Sequence, residues 1–145
     1  MEENVSVAEM MAAYAADAVD HAKAACAITL DYTPESVEQV EAVLGKLYSA
    51  VPRGFIGRLL GKGPSREDTA TVARMYGSYI GECIRRTWGG EWAQDHPVGG
   101  PRSFPISSRG HQSFPWGWCF KRLTNGPEDN VWHKFQILYL RDEHL

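Results

Sequence analysis

The chain has 145 residues and a formal net charge of −3, so it has the length of one domain and no excess of positive charge. This balance gives no global electrostatic case for nucleic-acid binding, and no apolar run approaches the roughly 18 residues that a membrane span requires. The three cysteines include no close pair, which fits a reducing compartment, and one disulfide with one free thiol in an oxidising compartment is the alternative. We therefore expect one soluble, cytoplasmic domain over residues 1–145, with no signal peptide and no membrane contact.

Two helices are predicted in the first third of the chain. Small and apolar residues recur at spacings of three and four from Val5 to about Leu30, which predicts a long first helix with a narrow face. Thr33 is a suitable N-cap and Pro34 suits the first position of a second helix. The apolar stripe of that helix continues to Val51, so we expect it to face the core.

Glycines govern the interpretation of the next segment. Residues 53–64 contain four glycines and a Gly-Lys pair, but their spacing does not match a phosphate-binding loop, so we expect a short apolar turn. A third helix is predicted over residues 65–88, with Gly77 and Gly81 on one ridge. Because a glycine inside a helix costs about 1 kcal/mol relative to alanine, we expect both glycines to contact a neighbouring helix closely.

Glu82 lies on a largely apolar part of the third helix and has two interpretations. It is either a charge at the helix rim, paired with Arg85 or Arg86, or a buried polar group that needs a partner. The candidate partners of a buried Glu82 are Tyr76, Trp92 and Arg122.

The last third of the chain is turn-rich and predicts an antiparallel meander. Short strands are expected near residues 91–93, 102–106 and 113–123. Strict alternation in the last of these would place four large rings on one strand face, packed against helices: Phe114, Trp116, Trp118 and Phe120. Residues 127–145 have helical spacing. The predicted fold is therefore α+β, with a helical N-terminal two-thirds on a small antiparallel meander and a C-terminal amphipathic helix.

Catalytic and metal-binding patterns are weak. Cys119 with His96 or His111 could form a thiol nucleophile and its base, but nothing in the local sequence favours a thiolate. No histidine, cysteine or glutamate spacing matches a metal site, and no cofactor motif is present. We expect a protein without cofactor or metal, and the sequence favours a non-catalytic protein, with a minor Cys/His enzyme as the last alternative.

The segment 95–112 is the predicted binding region. Loops on a rigid scaffold commonly carry recognition residues, and glycines and prolines fix the path of this one. The candidate partner-binding residues are His96, Arg102, Phe104, Arg109 and His111. We expect a protein partner, either a toxin or a host protein. The alternative is a small ligand or a single nucleic-acid strand bound by Trp116 and Trp118 with a basic rim.

Three motifs resemble a widespread group of small, largely uncharacterised bacterial proteins. The motifs are Thr33-Pro-Glu-Ser-Val37, Tyr76-Gly-Ser-Tyr-Ile-Gly-Glu-Cys-Ile-Arg-Arg86 and Trp88-Gly-Gly-Glu-Trp92, within a resemblance that covers residues 30–122. Thr33 departs from the serine that is common at that position. The resemblance implies an α+β fold and a bacterial or phage setting, and it implies no catalytic residues. Some similar proteins resemble immunity factors of toxin loci, which implies neutralisation of a toxin by stoichiometric binding.

Overall fold

A computed structural model describes residues 5–50 and 66–141. The helices of this part are α1 (Val7–Cys26), α2 (Val37–Ala50), α3 (Arg66–Trp88), α4 (Pro115–Asn125) and α5 (Val131–Phe135). The strands are β1 (Glu91–Trp92), β2 (Ile106–Ser108) and β3 (His111–Ser113). The predictions made for residues 51–65, which are the end of the second helix, the apolar turn and the cap of the third helix, lie outside the described residues.

Helix α1 begins at a capping box and ends earlier than its pattern suggested. The Ser6 hydroxyl accepts a hydrogen bond from the Glu9 N–H, and the Glu9 carboxylate accepts one from the Ser6 N–H. Ala27 then takes a left-handed conformation with φ of 56°, which ends the helix before Leu30. The buried face packs along α3 and consists of Met11, Ala15, Ala18 and Ala22.

The predicted start of the second helix is confirmed. The Thr33 hydroxyl accepts a hydrogen bond from the Ser36 N–H at 3.2 Å, and Pro34 opens a 3₁₀ turn that leads into α2. The Ser36 hydroxyl lies 2.6 Å from the buried hydroxyl of Tyr79. This contact fixes the beginning of α2 against α3.

Helix α3 is the centre of the molecule, and its glycines permit close packing. A Cβ at Gly77 would lie 2.7 Å from the main-chain N and Cα of Trp116, so the first turn of α4 rests directly on α3. The prediction of a close helix contact is thus confirmed for Gly77. It is wrong for Gly81, because the group that covers this glycine is the ring of Trp92 in β1.

The three strands form an antiparallel meander in the order β1-β2-β3, which confirms the predicted α+β fold. Glu91 lies opposite Ser107 in the first pair, and Ser108 lies opposite His111 in the second. A two-residue turn of Arg109 and Gly110, both with positive φ, joins β2 to β3. The predicted strand 102–106 is displaced, since pairing begins only at Ile106.

The predicted strand over residues 113–123 is wrong, because this segment forms helix α4. Pro115 occupies the first helical position, where its missing N–H costs no hydrogen bond, and Gly126 ends the helix with φ of 94°. The four rings therefore do not share one face. Trp118 is buried at 9% exposure, while the other three are half-buried and lie towards the surface.

The C-terminal segment is helical, as predicted, over its described residues 127–141, and residues 142–145 lie outside the described part of the chain. A 3₁₀ turn over Pro127–Asp129 precedes α5, and a π-helical turn over Gln136–Leu140 follows it. Val131, Phe135 and Tyr139 are fully buried, four residues apart. No helix among residues 5–50 and 66–141 is both long and apolar enough to cross a membrane.

Candidate binding groove

An open cavity of about 680 Å³ lies between the N-terminal half of α3, the loop before β2 and the first turns of α4. We call it the groove. Its lining residues are Ala70, Ala73, Arg74, Gly99, Arg102, Ser103, Phe114, Trp116, Gly117, Phe120 and Lys121. Among the described residues, the lining thus combines three aromatic rings with three cations and contains no carboxylate.

The ring of Trp116 is held in the groove by contacts on several sides. Its indole N–H donates to the Ser78 hydroxyl at 2.8 Å, and Phe104 packs against it with ring centroids 4.4 Å apart. Tyr14 contacts it edge-on, with a centroid distance of 5.8 Å. The ring of Trp116 is therefore a fixed surface, since rotating it would break a hydrogen bond and two ring contacts.

A tight turn over residues 96–100 forms one wall of the groove. His96 and Gly100 exchange two main-chain hydrogen bonds, and the His96 Nδ1 accepts from the N–H groups of Val98 and Gly99 at 3.0 and 3.1 Å. The His96 Nε2–H therefore faces the Gln112 carbonyl at 2.7 Å. This turn holds Val98 at 89% exposure, which is the greatest exposure of any large apolar side chain in the described part of the chain.

The loop that follows the turn has a strained backbone. Arg102 and Phe104 have φ of 57° and 47°, in the left-handed region that costs a non-glycine residue about 1–2 kcal/mol. Two hydrogen bonds hold this conformation, from the Arg102 N–H to the Asp95 carboxylate and from the Phe104 N–H to the Gln94 carbonyl. The strain turns Phe104 inward under Trp116 and leaves Arg102 exposed at the groove.

The cations of the groove have no partner among the described residues. The side chains of Arg74, Arg102 and Lys121 make no ion pair or hydrogen bond there. Elsewhere in the same part of the chain, Arg85 and Arg86 pair with Glu82, and Arg122 pairs with Glu41 at 2.8 Å. Lys23 and Lys46 also make no ion pair among these residues, so the groove is distinguished by bringing three such cations to one cavity.

The structure divides the five predicted partner-binding residues. His96 and Arg102 are at the groove, where His96 shapes the wall and Arg102 is part of the lining. The placement of Phe104 differs from the prediction. Phe104 is 2% exposed, and its ring supports Trp116 from below instead of being presented to a partner. Sequence analysis could not anticipate this, because the inward turn depends on the left-handed backbone.

Arg109 and His111 lie at a second, smaller cavity of about 340 Å³ beside Trp88. The Arg109 guanidinium donates to the Tyr139 carbonyl at 3.0 Å and covers the ring of Trp88 at 5.0 Å. His111 contacts the ring of Tyr139 edge-on. These side chains join the hairpin to the C-terminal helical segment and do not continue the rim of the groove.

Glu82 is buried at 1% exposure, as one of its two interpretations predicts. It also pairs with Arg85 and Arg86, as the other predicts. Arg85 donates two hydrogen bonds to its carboxylate at 2.9 Å, and the Trp92 indole N–H donates one at 3.0 Å. Burial alone would raise the pKa of Glu82. The hydrogen bonds from Arg85 and Trp92 and the charges of Arg85 and Arg86 outweigh burial and hold its pKa below the usual value.

The thiols give no support to a nucleophilic site. Cys119 is fully buried in α4, and burial raises its pKa well above the ordinary value, so it carries a proton at neutral pH. Burial also raises the pKa of Cys83 to about 12. Within residues 5–50 and 66–141, no cluster of histidine, cysteine or acidic side chains could hold a metal ion.

Four aromatic or charged residues of the groove were not among the predicted site residues, namely Arg74, Phe114, Phe120 and Lys121. Three of them belong to the segment that was interpreted as a strand. A helical interpretation would have placed Trp116 beside Phe120 and Gly117 beside Lys121. The proline at the first helical position was the evidence in the sequence for a helix. Arg74 comes from α3, so only the tertiary packing brings it to the groove.

Comparisons of the chain with protein-family models, with curated proteins and with solved structures find no match.

Proposed function

We propose that the protein is a non-catalytic binding protein, and that the groove together with the exposed 96–100 turn forms the surface that binds a protein partner. The observation that carries the proposal is the placement of Arg74, Arg102 and Lys121. Three cations without described partners surround half-buried rings at a cavity, in a chain whose net charge is negative. Like charges brought together repel each other, so a negatively charged partner would relieve a cost that the free protein bears.

The rigidity of this surface also supports binding. The Trp116 ring and the 96–100 turn are held by hydrogen bonds within the protein, so little conformational entropy is lost when a partner contacts them. The left-handed Arg102 adds strain at the same place, and strained backbone is concentrated at functional sites in proteins. Val98 offers an apolar contact beside the groove.

A protein partner is better supported than a nucleic-acid strand. The strand hypothesis places two tryptophans and two arginines along one basic surface. In the structure Trp118 belongs to the core, and Arg109 packs on Trp88 at the second cavity. Trp116 and Arg102 remain from that set, and although Phe114 and Phe120 also line the groove, a cavity of about 680 Å³ leaves little length for successive bases.

The sequence resemblance suggests that the partner is a toxin and that binding neutralises it. Such a protein acts by stoichiometric binding and needs no reactive side chain, which agrees with the buried, protonated Cys83 and Cys119. A cytoplasmic location belongs to the same proposal, because free thiols are stable in a reducing compartment.

The test is to isolate a partner from the native host and titrate it calorimetrically against the purified protein. We expect 1:1 binding without turnover, a loss of about tenfold or more in affinity for Val98→Asp, and wild-type affinity for Lys46→Glu, which changes an exposed cation on α2. Partner binding that is unaffected by Val98→Asp and by charge reversal of Arg102 would contradict the proposed surface. Catalytic consumption of the partner would contradict the non-catalytic function.

A further inference from the structure

The size of the groove limits what can enter it. A volume of about 680 Å³ lies within the range of sites that enclose a ligand of a few hundred daltons. The groove can therefore receive one large side chain and its immediate neighbours, while the rest of a folded partner stays outside it. The occupant is a short segment, and its chemistry can be derived from the lining.

The centre of the groove favours an apolar or aromatic side chain. The indole N–H of Trp116 already donates to Ser78, and one side of the ring is packed against Phe104. The ring therefore has no unused polar group to offer and provides only apolar and π surface. Ala70 and Ala73 add small apolar contacts from α3 and leave space above the ring.

The rim of the groove favours carboxylates. The Ser103 hydroxyl donates to the Gly100 carbonyl at 2.8 Å, so its proton is already used. Unused side-chain donors therefore belong to Arg74, Arg102 and Lys121, and all three are positively charged. Hydrogen bonds between such cations and carboxylates are about twice as strong as bonds between neutral groups.

We propose, on the basis of the proposed function, that the groove binds an acidic peptide segment of the partner. An aromatic or branched apolar side chain of that segment packs on Trp116, and carboxylates before and after it pair with Arg74, Arg102 and Lys121. The carboxylates supply the negative charge that the lining lacks. The apolar side chain supplies the area that a flexible chain needs to offset its lost entropy.

Gly117 permits a test that leaves the core intact. A Cβ added there would meet only the Cβ of Phe114, at 4.0 Å, so the space beside Gly117 belongs to the groove. Gly117→Leu places a side chain in that space, and leucine also favours a helix over glycine. Gly117→Ala is the matched control, because it makes the same change of backbone propensity with a much smaller side chain.

The experiment measures affinities for synthetic peptides by titration calorimetry at low salt. The first peptide has a central tryptophan between aspartate and glutamate residues. The second replaces that tryptophan by alanine, and the third replaces the acids by lysines. A single-stranded oligothymidine of equal negative charge is the fourth probe. We expect the first peptide to bind at least about tenfold more tightly than each of the others.

The variants then locate the site. Gly117→Leu and Arg102→Glu should each weaken binding of the acidic tryptophan peptide by about tenfold or more, while Gly117→Ala and Lys46→Glu should bind as the wild type does. Circular dichroism establishes that each variant is folded. Equal affinity for the oligothymidine, or binding that Gly117→Leu does not change, would overturn the inference.

The outcome for the isolated partner separates this inference from the function on which it rests. If Val98→Asp abolishes partner binding and Gly117→Leu does not, the surface is correct and the acidic segment in the groove is wrong. If Val98→Asp, Arg102→Glu and Gly117→Leu all leave partner binding unchanged, both proposals are wrong. If Val98→Asp and Gly117→Leu both abolish partner binding and the acidic peptide competes with the partner, both proposals are supported.

Discussion

Helix α3 carries arginines close to aromatic rings in both of its halves. The two halves differ in whether a carboxylate pairs with those arginines. At the C-terminal end, Arg85 and Arg86 pair with the buried Glu82, and the Arg86 guanidinium covers the ring of Tyr32 at 3.7 Å. In the N-terminal half, Arg74 lines the groove together with its rings and other cations, and the part of the lining that the structure describes contains no carboxylate.

The difference indicates which cations stabilise the fold and which remain available. A carboxylate buried beside arginines is part of the structure, since removing it leaves charge or donors without partners. A set of cations without a carboxylate contributes little to folding and retains its capacity to bind an anion. Removal of groups from each kind of cluster, followed by measurement of the free energy of unfolding, tests this distinction.

The largest effect is expected at the buried pair of Arg122 and Glu41. Arg122 is 4% exposed, and its Nη1 has no hydrogen-bond partner among the described residues, so Glu41 is the counter-charge that the structure shows for it. Glu41→Gln should lower the free energy of unfolding by about 3–5 kcal/mol, because the buried guanidinium loses its counter-charge and one side-chain oxygen is left to accept from both Arg122 and the Val131 N–H. Urea denaturation measures the change, and Glu38→Gln on the exposed side of α2 is the matched control. A loss below about 1 kcal/mol would contradict the structural role of the pair.

A second prediction concerns the contact that positions the floor of the groove. The methyl group of Gly77→Ala would lie 2.7 Å from the main chain of Trp116, and main-chain atoms cannot move away cheaply. We expect a loss of about 1–3 kcal/mol in unfolding free energy from overpacking. Gly117→Ala in α4 has open space and should leave stability unchanged or raise it by up to about 1 kcal/mol. Equal effects of the two substitutions would show that close packing at Gly77 is not required.

The third prediction removes the carboxylate from the C-terminal end of α3. The pKa of Glu82 is lowered in the folded state, so its contribution to stability is full above the unfolded value of 4.5 and is lost as the pH falls through the folded-state value. Glu82→Gln should cost about 1–2 kcal/mol at pH 7, discounted because its arginine partners are partly exposed. The difference between wild type and variant should shrink as the pH falls below 4.5. Denaturation at several pH values measures it, and a difference that does not change with pH would be inconsistent with the ion pair.

Sequence analysis was most successful where the determinants are local. The cap at Thr33 and the proline that follows it act within one helical turn, and both were predicted correctly. The helical C-terminal segment was also predicted correctly, since its buried residues recur every four positions: Val131, Phe135 and Tyr139. The meander was also predicted, because glycine and proline turns separate its short strands. The register of the meander was not predicted, because the sequence of one strand does not specify which residues of the neighbouring strand lie opposite it.

The segment 114–120 shows how a local pattern can mislead. Alternating rings satisfy the period of a strand, but Pro115 and Gly126 mark the two ends of a helix, and tertiary packing follows the helical period. Trp118 and Arg122 are buried one turn apart, while Trp116 and Phe120 share the groove. The site was therefore predicted only in part, because Arg74 and Lys121 meet Arg102 through packing between α3 and α4.

The smallest change in stability is expected at the groove itself. Arg74→Gln combined with Lys121→Gln removes two cations that have no described partner, so the unfolding free energy should change by less than about 0.5 kcal/mol. The sign should be stabilising at low salt, because Arg102 loses two repulsive neighbours, and the difference should vanish as salt screens the charges. Denaturation at low and high ionic strength measures both effects, with Arg85→Gln as the control at the paired end of the helix. A loss above 1 kcal/mol for the double variant, matching that of Arg85→Gln, would mean that the groove cations are structural after all, and the reason for assigning a ligand to them would be gone.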